Sequence, residues 1–191
     1  MSEVVVKLVV NGNAVKRKVW REEKLVDFLH DELNMPGTRF CCGIGVCRAC
    51  TVLVRNTETA PAVPMLSCSI PVTAVDGQSI ETVEGLAGEG GQLSALQEAF
   101  LKHFSFQCGY CTPGFLMAAT GLLERLMASP IPRAEIDDAI ANACGEHICR
   151  CTGYVRYYQA IREVIEQTPG TILDAGTALE EGTGLAEGAG E

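Results

Sequence analysis

The spacing of hydrophobic and polar residues changes near residue 92, and this change divides the chain into two parts. In the first part, runs of β-branched residues are separated by turn signals such as Asn11-Gly12 and Asp76-Gly77, a pattern typical of strands. Strands are predicted over residues 4–10, 15–19, 51–55, 65–74 and 79–83. A helix is predicted over residues 24–33, where leucines recur on one face. We therefore expect a small α+β domain over residues 1–83.

In the second part, apolar residues recur at intervals of three and four, which is helical spacing. Helices are predicted over residues 93–104, 113–127, 133–143 and 155–167. The second of them is apolar on nearly all sides and is expected at the centre of a four-helix bundle over residues 93–167. On the last helix, Tyr158, Ile161 and Ile165 are predicted to face the core. The glycine-rich stretch 84–92 is predicted to be a linker, and residues 168–191 an acidic, solvated tail.

Composition and charge narrow the possible functions. The chain has 191 residues, of which 47% are hydrophobic and 20% charged, as in ordinary globular proteins. Its net charge of −9 argues against binding to nucleic acid or an anionic membrane, which requires basic patches. No apolar run is long enough for a membrane span. Residues 1–15 lack the features of a signal peptide, so we expect a cytoplasmic protein or one exported with a partner that carries the signal.

The first part contains four cysteines at the spacing of a plant-type ferredoxin site. They follow the order C-x4-C-x2-C with a fourth thiol further on: Cys42, Cys47, Cys50 and Cys68. This order predicts a [2Fe–2S] cluster. Gly43 and Gly45 are expected to let the backbone curl around the cluster and point N–H groups at its sulfides. A disulfide framework is disfavoured, because such frameworks usually belong to short domains with little core.

A second set of four cysteines stands just before two predicted helices: Cys108, Cys111, Cys149 and Cys151. The free N–H groups and positive dipole end of a helix N-terminus favour thiolates. Taken alone, this set favours zinc, which also accepts four thiolates. Beside a ferredoxin-type loop, a second iron–sulfur cluster is the better interpretation. Cys41 and Cys144 are interpreted as packed thiols, with a substitute ligand or a redox-sensitive thiol as the alternative for each. His147 is interpreted as a loop residue or a hydrogen-bond donor to a cluster sulfur.

Five segments in this order resemble the small iron–sulfur subunit of the xanthine oxidase family of molybdenum hydroxylases: CGIGVCRACT, SCSIPV, VDGQSIETVEGLA, QCGYCTPGFLMAAT and ICRCTGY. The resemblance covers roughly the first 165 residues, the size of one or two domains. It implies an α+β chain with a β-grasp ferredoxin domain followed by a four-helix bundle, each holding one [2Fe–2S] cluster. It also implies a separate large subunit with molybdopterin, and an acceptor subunit that is a cytochrome c or a flavoprotein.

The resemblance also assigns residues outside the two cysteine sets. Gln107 matches the glutamine that hydrogen-bonds the pterin, and Cys151 matches a cysteine whose surroundings touch it. Arg48 stands where the family usually has glycine, and we expect its charge to raise the potential of the nearby cluster or to mark a docking surface.

The expected function is the electron-transfer subunit of a molybdenum hydroxylase. The cluster loop is most similar to small subunits related to isoquinoline oxidoreductase and to bacterial aldehyde dehydrogenases, which implies an aldehyde-oxidising enzyme. We expect no substrate chemistry on this chain, because it has no constellation of paired acids or of nucleophile and base. A free-standing two-cluster ferredoxin and a zinc-bearing interaction module are the alternatives.

Overall fold

The computed structural model describes residues 2–57 and 59–173, and its first part forms a five-stranded mixed sheet. The strands are β1 (Glu3–Val10), β2 (Asn13–Trp20), β3 (Thr51–Arg55), β4 (Val63–Leu66) and β5 (Ser79–Glu81). Their order is β2-β1-β5-β3-β4, in which only β1 and β5 run parallel. Along β1, the side chains of Val6, Leu8 and Val10 are buried. They alternate with more exposed positions, because successive side chains of a strand point to opposite faces.

The helical segment of the first part packs against this sheet. The α1 helix (Leu25–Asp27) continues into a wider π-helical turn (Phe28–Glu32). Its side chains Leu25, Phe28 and Leu29 are fully buried and share a hydrophobic core with the strands. The helix predicted over residues 24–33 is therefore present, and its leucine-rich face is the one that covers the sheet.

The strand predicted over residues 65–74 is wrong beyond Leu66. The chain leaves the sheet there, places Cys68 in a turn, and forms a short 3-10 helix (Val72–Val75). Ser67 donates its backbone N–H to the carbonyl of Cys50 at 3.2 Å and its hydroxyl to the same oxygen at 2.8 Å. These bonds turn the chain towards Cys50 instead of extending the strand, so the apolar residues after the turn pack from a different element.

Four helices form the second part. They are α2 (Ala95–Lys102), α3 (Thr112–Ala128), α4 (Ile136–Cys144) and α5 (Val155–Gln167), close to the predicted ranges. The α2 helix begins with a capping box, in which Ser94 and Gln97 exchange side-chain and backbone hydrogen bonds. The apolar α3 helix is buried along most of its length, as its composition indicated. Within residues 2–57 and 59–173, no helix is both long and apolar enough to cross a membrane.

The segments predicted as linker and tail pack against the helices as far as the structure describes them. The 84–92 stretch overlaps a 3-10 helix (Val83–Leu86), and Leu86 contacts the helical core. After α5, Thr171 is buried and donates its hydroxyl to the carbonyl of Ile165 at 2.6 Å. Ile172 then forms a bridge with the segment before α4. Thr171 and Ile172 of the predicted tail thus pack against the helical part, while residues 174–191 lie outside the described part.

Two glycines allow α3 to approach the sheet closely. A Cβ atom on Gly114 would lie 2.4 Å from the carbonyl oxygen of Arg48, and one on Gly121 would lie 2.9 Å from a methyl group of Leu53. Both distances are well inside van der Waals contact, so a residue without a Cβ is required for this approach. The contact holds the first turn of α3 against the loop before β3, which brings the two cysteine sets together.

The substitution Gly114→Ala is expected to lower the free energy of unfolding by about 1–3 kcal/mol, because the added methyl group must displace the Arg48 backbone. The loss should appear although alanine is the better helix former. Urea unfolding measures it. Gly88→Ala is the matched control, since a Cβ there meets atoms only at 3.6 Å. Equal stabilities of the two variants would contradict the close packing of α3 on the loop.

Candidate metal centres

The loop before β3 carries three cysteines of the first set and bends through two glycines. Gly43 and Gly45 have φ angles of 70° and 77°, a left-handed region that glycine enters without strain. A Cβ on Gly45 would also lie 2.7 Å from the hydroxyl oxygen of Ser69. Within the loop, the backbone N–H of Cys47 donates to the sulfur of Cys42 at 3.4 Å. The loop therefore turns N–H groups towards sulfur.

Arg48 occupies a conformation that explains why glycine is usual at this position in the resembled family. Its φ angle is 60°, which costs energy for any residue with a Cβ. Its guanidinium forms an ion pair with Glu146 in the loop after α4. Glu146 thereby offsets the charge that Arg48 brings to the cysteine loop, and the pair links this loop to the helical part.

The four thiols of the first set form two contacting pairs, Cys42 with Cys47 and Cys50 with Cys68. Backbone N–H groups, chiefly that of Cys47, lower the pKa of Cys42 to about 6. Burial raises the pKa of Cys50 to about 12 in the absence of metal. Cys50 and Cys68 are each 1% exposed, so one pair lies inside the protein and the other lies nearer the surface.

The second set is also arranged as two pairs. The sulfur atoms of Cys108 and Cys151 are 3.6 Å apart, and the thiols of Cys111 and Cys149 lie close enough to affect each other's pKa. Cys111 is the N-cap residue of α3, and the segment with Cys149 and Cys151 precedes α5. Cys111 and Cys149 are buried, whereas Cys108 and Cys151 are exposed. The N-termini of two helices thus meet at four sulfurs, and one pair faces the surface.

This pairing fits two-iron centres. A [2Fe–2S] cluster with four cysteine ligands places two thiolates on each of two irons, and each set offers two pairs. In residues 2–57 and 59–173, no three His, Cys, Asp or Glu side chains are grouped around one point as ligands of a single metal ion. Cys144 is fully buried outside the pairs, and burial raises its pKa to about 12. It is a packed thiol as expected. The same interpretation of Cys41 is wrong, because Cys41 lies in the loop before β3 with its side chain exposed.

A backbone hydrogen bond joins the two cysteine sets directly. The N–H of Ile148, which precedes Cys149, donates to the carbonyl oxygen of Cys47 at 3.1 Å. The hydroxyl of Tyr110 donates to the carbonyl of Phe40 beside it. The cysteine-bearing loops of the two parts therefore contact each other, and a main-chain hydrogen bond joins them at Cys47.

His147 is buried where the two parts meet. Its Nε2 lies 3.3 Å from the hydroxyl oxygen of Thr51, and its ring packs on Phe115 with 4.9 Å between centroids. The Thr51 hydroxyl donates to the carbonyl of Arg48 at 2.7 Å, so its oxygen accepts a proton from Nε2. Burial, helped by the charge of Arg48, lowers the pKa of His147 to about 4. The neutral ring donates its hydrogen bond to Thr51. The Nε2–H group is therefore used by Thr51 and not by a sulfur, which was one of the two interpretations of His147 from the sequence.

The two residues expected at the pterin lie together at the surface. The side-chain amide of Gln107 donates to the carbonyl oxygen of Cys151 at 2.9 Å, and both residues are exposed. The apolar side chains of Phe104 and Val155 are also exposed on the adjoining segments, by 74% and 62%. An exposed apolar group of this kind commonly marks a protein interface.

The sequence analysis did not identify Tyr157, which lies next to the second cysteine set. Tyr158 was expected on the buried face of α5, but Tyr157 is the tyrosine that is fully buried there, and burial raises its pKa. A signal was present in the sequence. Tyr157 begins the run of buried positions that continues with Ala160, Ile161, Val164 and Ile165, and counting the alanine as apolar would have selected this face.

Comparison with known proteins supports iron–sulfur chemistry. The family model described as a [2Fe-2S] binding domain matches residues 82–162. Caffeine dehydrogenase subunit gamma from Pseudomonas sp. (strain CBB1) is 41% identical over 88% of this chain and 95% of its own length. The nicotine 6-hydroxylase small subunit of Paenarthrobacter nicotinovorans is 41% identical over 85% of this chain and 88% of its own length. The crystal structure of quinoline 2-oxidoreductase from Pseudomonas putida 86 gives a TM-score of 0.72 at 33% identity, covering 88% of this chain and 93% of that one.

Thr51→Val is expected to lower the free energy of unfolding by about 1–3 kcal/mol, because it leaves the Nε2–H of buried His147 without an acceptor. In a His147→Leu background, the same change should cost about 1 kcal/mol less, since no donor is left unpaired. Urea unfolding of the wild-type protein, the two single variants and the double variant gives the coupling energy between the two side chains. Additive losses would contradict the hydrogen bond between these side chains.

Proposed function

Since the chain belongs to the small iron–sulfur subunits of the xanthine oxidase family of molybdenum hydroxylases, we propose that it relays electrons from molybdopterin to an acceptor subunit. As in its relatives, the chain is the iron–sulfur subunit of a molybdopterin-dependent oxidoreductase. The [2Fe–2S] clusters belong to this chain and the molybdopterin to a partner. One observation supports the proposal: eight thiols lie in four neighbouring pairs on four chain segments, and the segments of Cys47 and Cys149 are joined by a hydrogen bond.

The proposed layout has two domains joined by the 84–92 linker. Residues 1–83 form a β-grasp ferredoxin-type domain, and residues 93–167 form a four-helix bundle. Two hydrophobic clusters support this division, because one is built from the strands with α1 and the other from α2 to α5. The mixed sheet, with α1 and its π-helical turn in the same hydrophobic cluster as the strands, supports the β-grasp assignment.

We assign one cluster to each cysteine set. The first cluster is held by Cys42, Cys47, Cys50 and Cys68. The second cluster is held by Cys108, Cys111, Cys149 and Cys151. When bound, each cluster supplies a centre that gains and loses one electron. The chain contributes the thiolates, the loop N–H groups around Gly43 and Gly45, and two helix N-termini, all of which stabilise negative charge.

The proposed entry side for electrons is the surface around Gln107 and Cys151. The exposed Cys108–Cys151 pair, the Gln107 amide and the apolar side chain of Phe104 lie on this side. Such a surface suits a large molybdopterin subunit, because an amide can pair with the edge of a heterocycle and apolar groups can be covered by protein. From there, the hydrogen bond from Ile148 to Cys47 links the second set to the first.

The proposed exit side is the loop of the first cysteine set. Ile44 and Val46 lie within this loop and are 73% and 56% exposed, and Cys42 is half-buried. Exposed apolar side chains next to a redox centre suit docking of another protein. We propose a cytochrome c or flavoprotein subunit as the acceptor.

The substrate is proposed to be an aldehyde or a nitrogen heterocycle. The cluster loop resembles that of aldehyde-oxidising enzymes, whereas the relatives compared above are named for caffeine, nicotine and quinoline. Both classes present an electron-poor carbon bonded to a heteroatom, and enzymes of this family add a water-derived oxygen to such a carbon on the large subunit. Activity of the purified complex with an aldehyde and with a heterocycle would distinguish the two.

The anaerobically purified protein is expected to contain about four iron atoms per chain and to give two distinct [2Fe–2S] EPR signals after reduction. Cys50→Ser should remove the first signal and Cys111→Ser the second, each with about half of the iron. Cys144→Ser is the control and should keep both. A colourless, zinc-loaded chain would refute the proposal, and purification without a molybdenum-containing subunit would favour the free ferredoxin.

Gln107→Ala is expected to slow reduction of the second cluster by substrate roughly threefold to tenfold, because one polar contact to the pterin is lost. Both clusters should still assemble. Stopped-flow single-turnover reduction of the complex measures the rate, and iron analysis checks assembly. Gln92→Ala, at an exposed position of the linker, serves as the control. An unchanged rate in Gln107→Ala would place the pterin elsewhere.

A further inference from the structure

Tyr157 presents its hydroxyl to the second cysteine set from inside the helical core. The hydroxyl oxygen lies 3.6 Å from the sulfur of Cys111 and 2.8 Å from the hydroxyl oxygen of Thr112. The ring is fully buried, stacks on Phe115 at 4.2 Å with an interplanar angle of 5°, and meets Phe100 edge-on at 5.1 Å. Since two aromatic neighbours hold the ring, the hydroxyl stays directed at the sulfur.

The direction of these two hydrogen bonds follows from the state of Cys111. A cysteine that binds iron is a thiolate, and its sulfur can only accept hydrogen bonds. The hydroxyl of Tyr157 must therefore donate to it. The oxygen of Tyr157 then accepts from the hydroxyl of Thr112, which gives two consecutive hydrogen bonds that end at the sulfur and strengthen each other.

Cys111 and Cys149, the buried pair of the second set, thus each accept a hydrogen bond from a hydroxyl group. The hydroxyl of Thr152 donates to Cys149 at 3.1 Å, but it comes from the cysteine loop itself and is partly exposed. Tyr157 comes from α5 and is buried, where a hydrogen bond to a charged sulfur is screened less by water. Among the described contacts to the second set, the Tyr157 hydroxyl is therefore the buried donor supplied by the helix core.

We propose that Tyr157 raises the reduction potential of the second cluster through its hydrogen bond to Cys111. One-electron reduction adds negative charge that the ligand sulfurs share, so a donor at a sulfur stabilises the reduced form more than the oxidised form. No proton needs to move. The inference rests on the proposed assignment of Cys111 as a ligand. Its consequence is that the cluster on the entry side becomes a better acceptor for electrons that leave the molybdopterin.

The test is an EPR-monitored redox titration of the intact complex carrying Tyr157→Phe, which keeps the ring and removes the hydroxyl. At a fixed potential, the ratio of reduced to oxidised second cluster should fall about threefold to tenfold, where tenfold corresponds to about 59 mV. The potential of the first cluster should stay the same. Tyr158→Phe is the matched control, because this neighbouring tyrosine is only half-buried and faces Gly145 instead of a cysteine pair.

Two further measurements keep the outcome decisive. Proton ENDOR of the reduced wild-type second cluster should show an exchangeable coupling that is lost in Tyr157→Phe and kept in Tyr158→Phe. If Tyr157→Phe does not retain iron, the Thr112→Val variant tests the inference instead. It removes only the hydrogen bond from Thr112 to Tyr157 and should lower the potential of the second cluster by a smaller amount. Unchanged potentials would overturn the inference. Absence of a second [2Fe–2S] signal in the wild-type complex would instead refute the ligand assignment and the proposed function.

Discussion

The close approach of α3 to the loop before β3 is the contact on which the arrangement of both cysteine sets depends. It requires a residue without a side chain at Gly114, because the Arg48 carbonyl occupies the place of a Cβ. With the two elements this close, the N–H of Ile148 reaches the carbonyl of Cys47. Gly114, which belongs to the helical part of the chain, thus controls how near the two cysteine sets lie.

Burial differs within each cysteine set in a way that suits a relay. Cys50 and Cys68 are buried in the first set while Cys42 is half-exposed, and in the second set one pair is buried and the other exposed. The hydrogen bond between the sets involves Cys47, which is buried. Each set therefore has a side open to a partner and a side enclosed by protein, where hydrogen bonds and low polarity set the potential.

Polar residues at the junction of the two parts connect parts of the structure that are distant in sequence. His147 bonds to Thr51, Arg48 pairs with Glu146, and Tyr157 reaches a sulfur on another helix. The first two contacts couple the positions of the loops, and the third brings a hydroxyl group of the helical core to a cysteine sulfur. The same packing that stabilises the junction thus also places the groups that adjust its chemistry.

Features that depend on local spacing could be predicted from the sequence. The helices, Val155–Gln167 among them, follow from the recurrence of apolar residues, and the intervals of Cys42, Cys47 and Cys50 predict a ferredoxin-type site, because each of these patterns lies within a short stretch of chain. The end of β4, the full burial of Tyr157 beside the half-buried Tyr158, and the hydrogen bond from His147 to Thr51 became known only from the tertiary structure. These outcomes depend on how one hydrophobic core is placed against another, and that placement is set by contacts between residues far apart in the chain, which no local pattern contains.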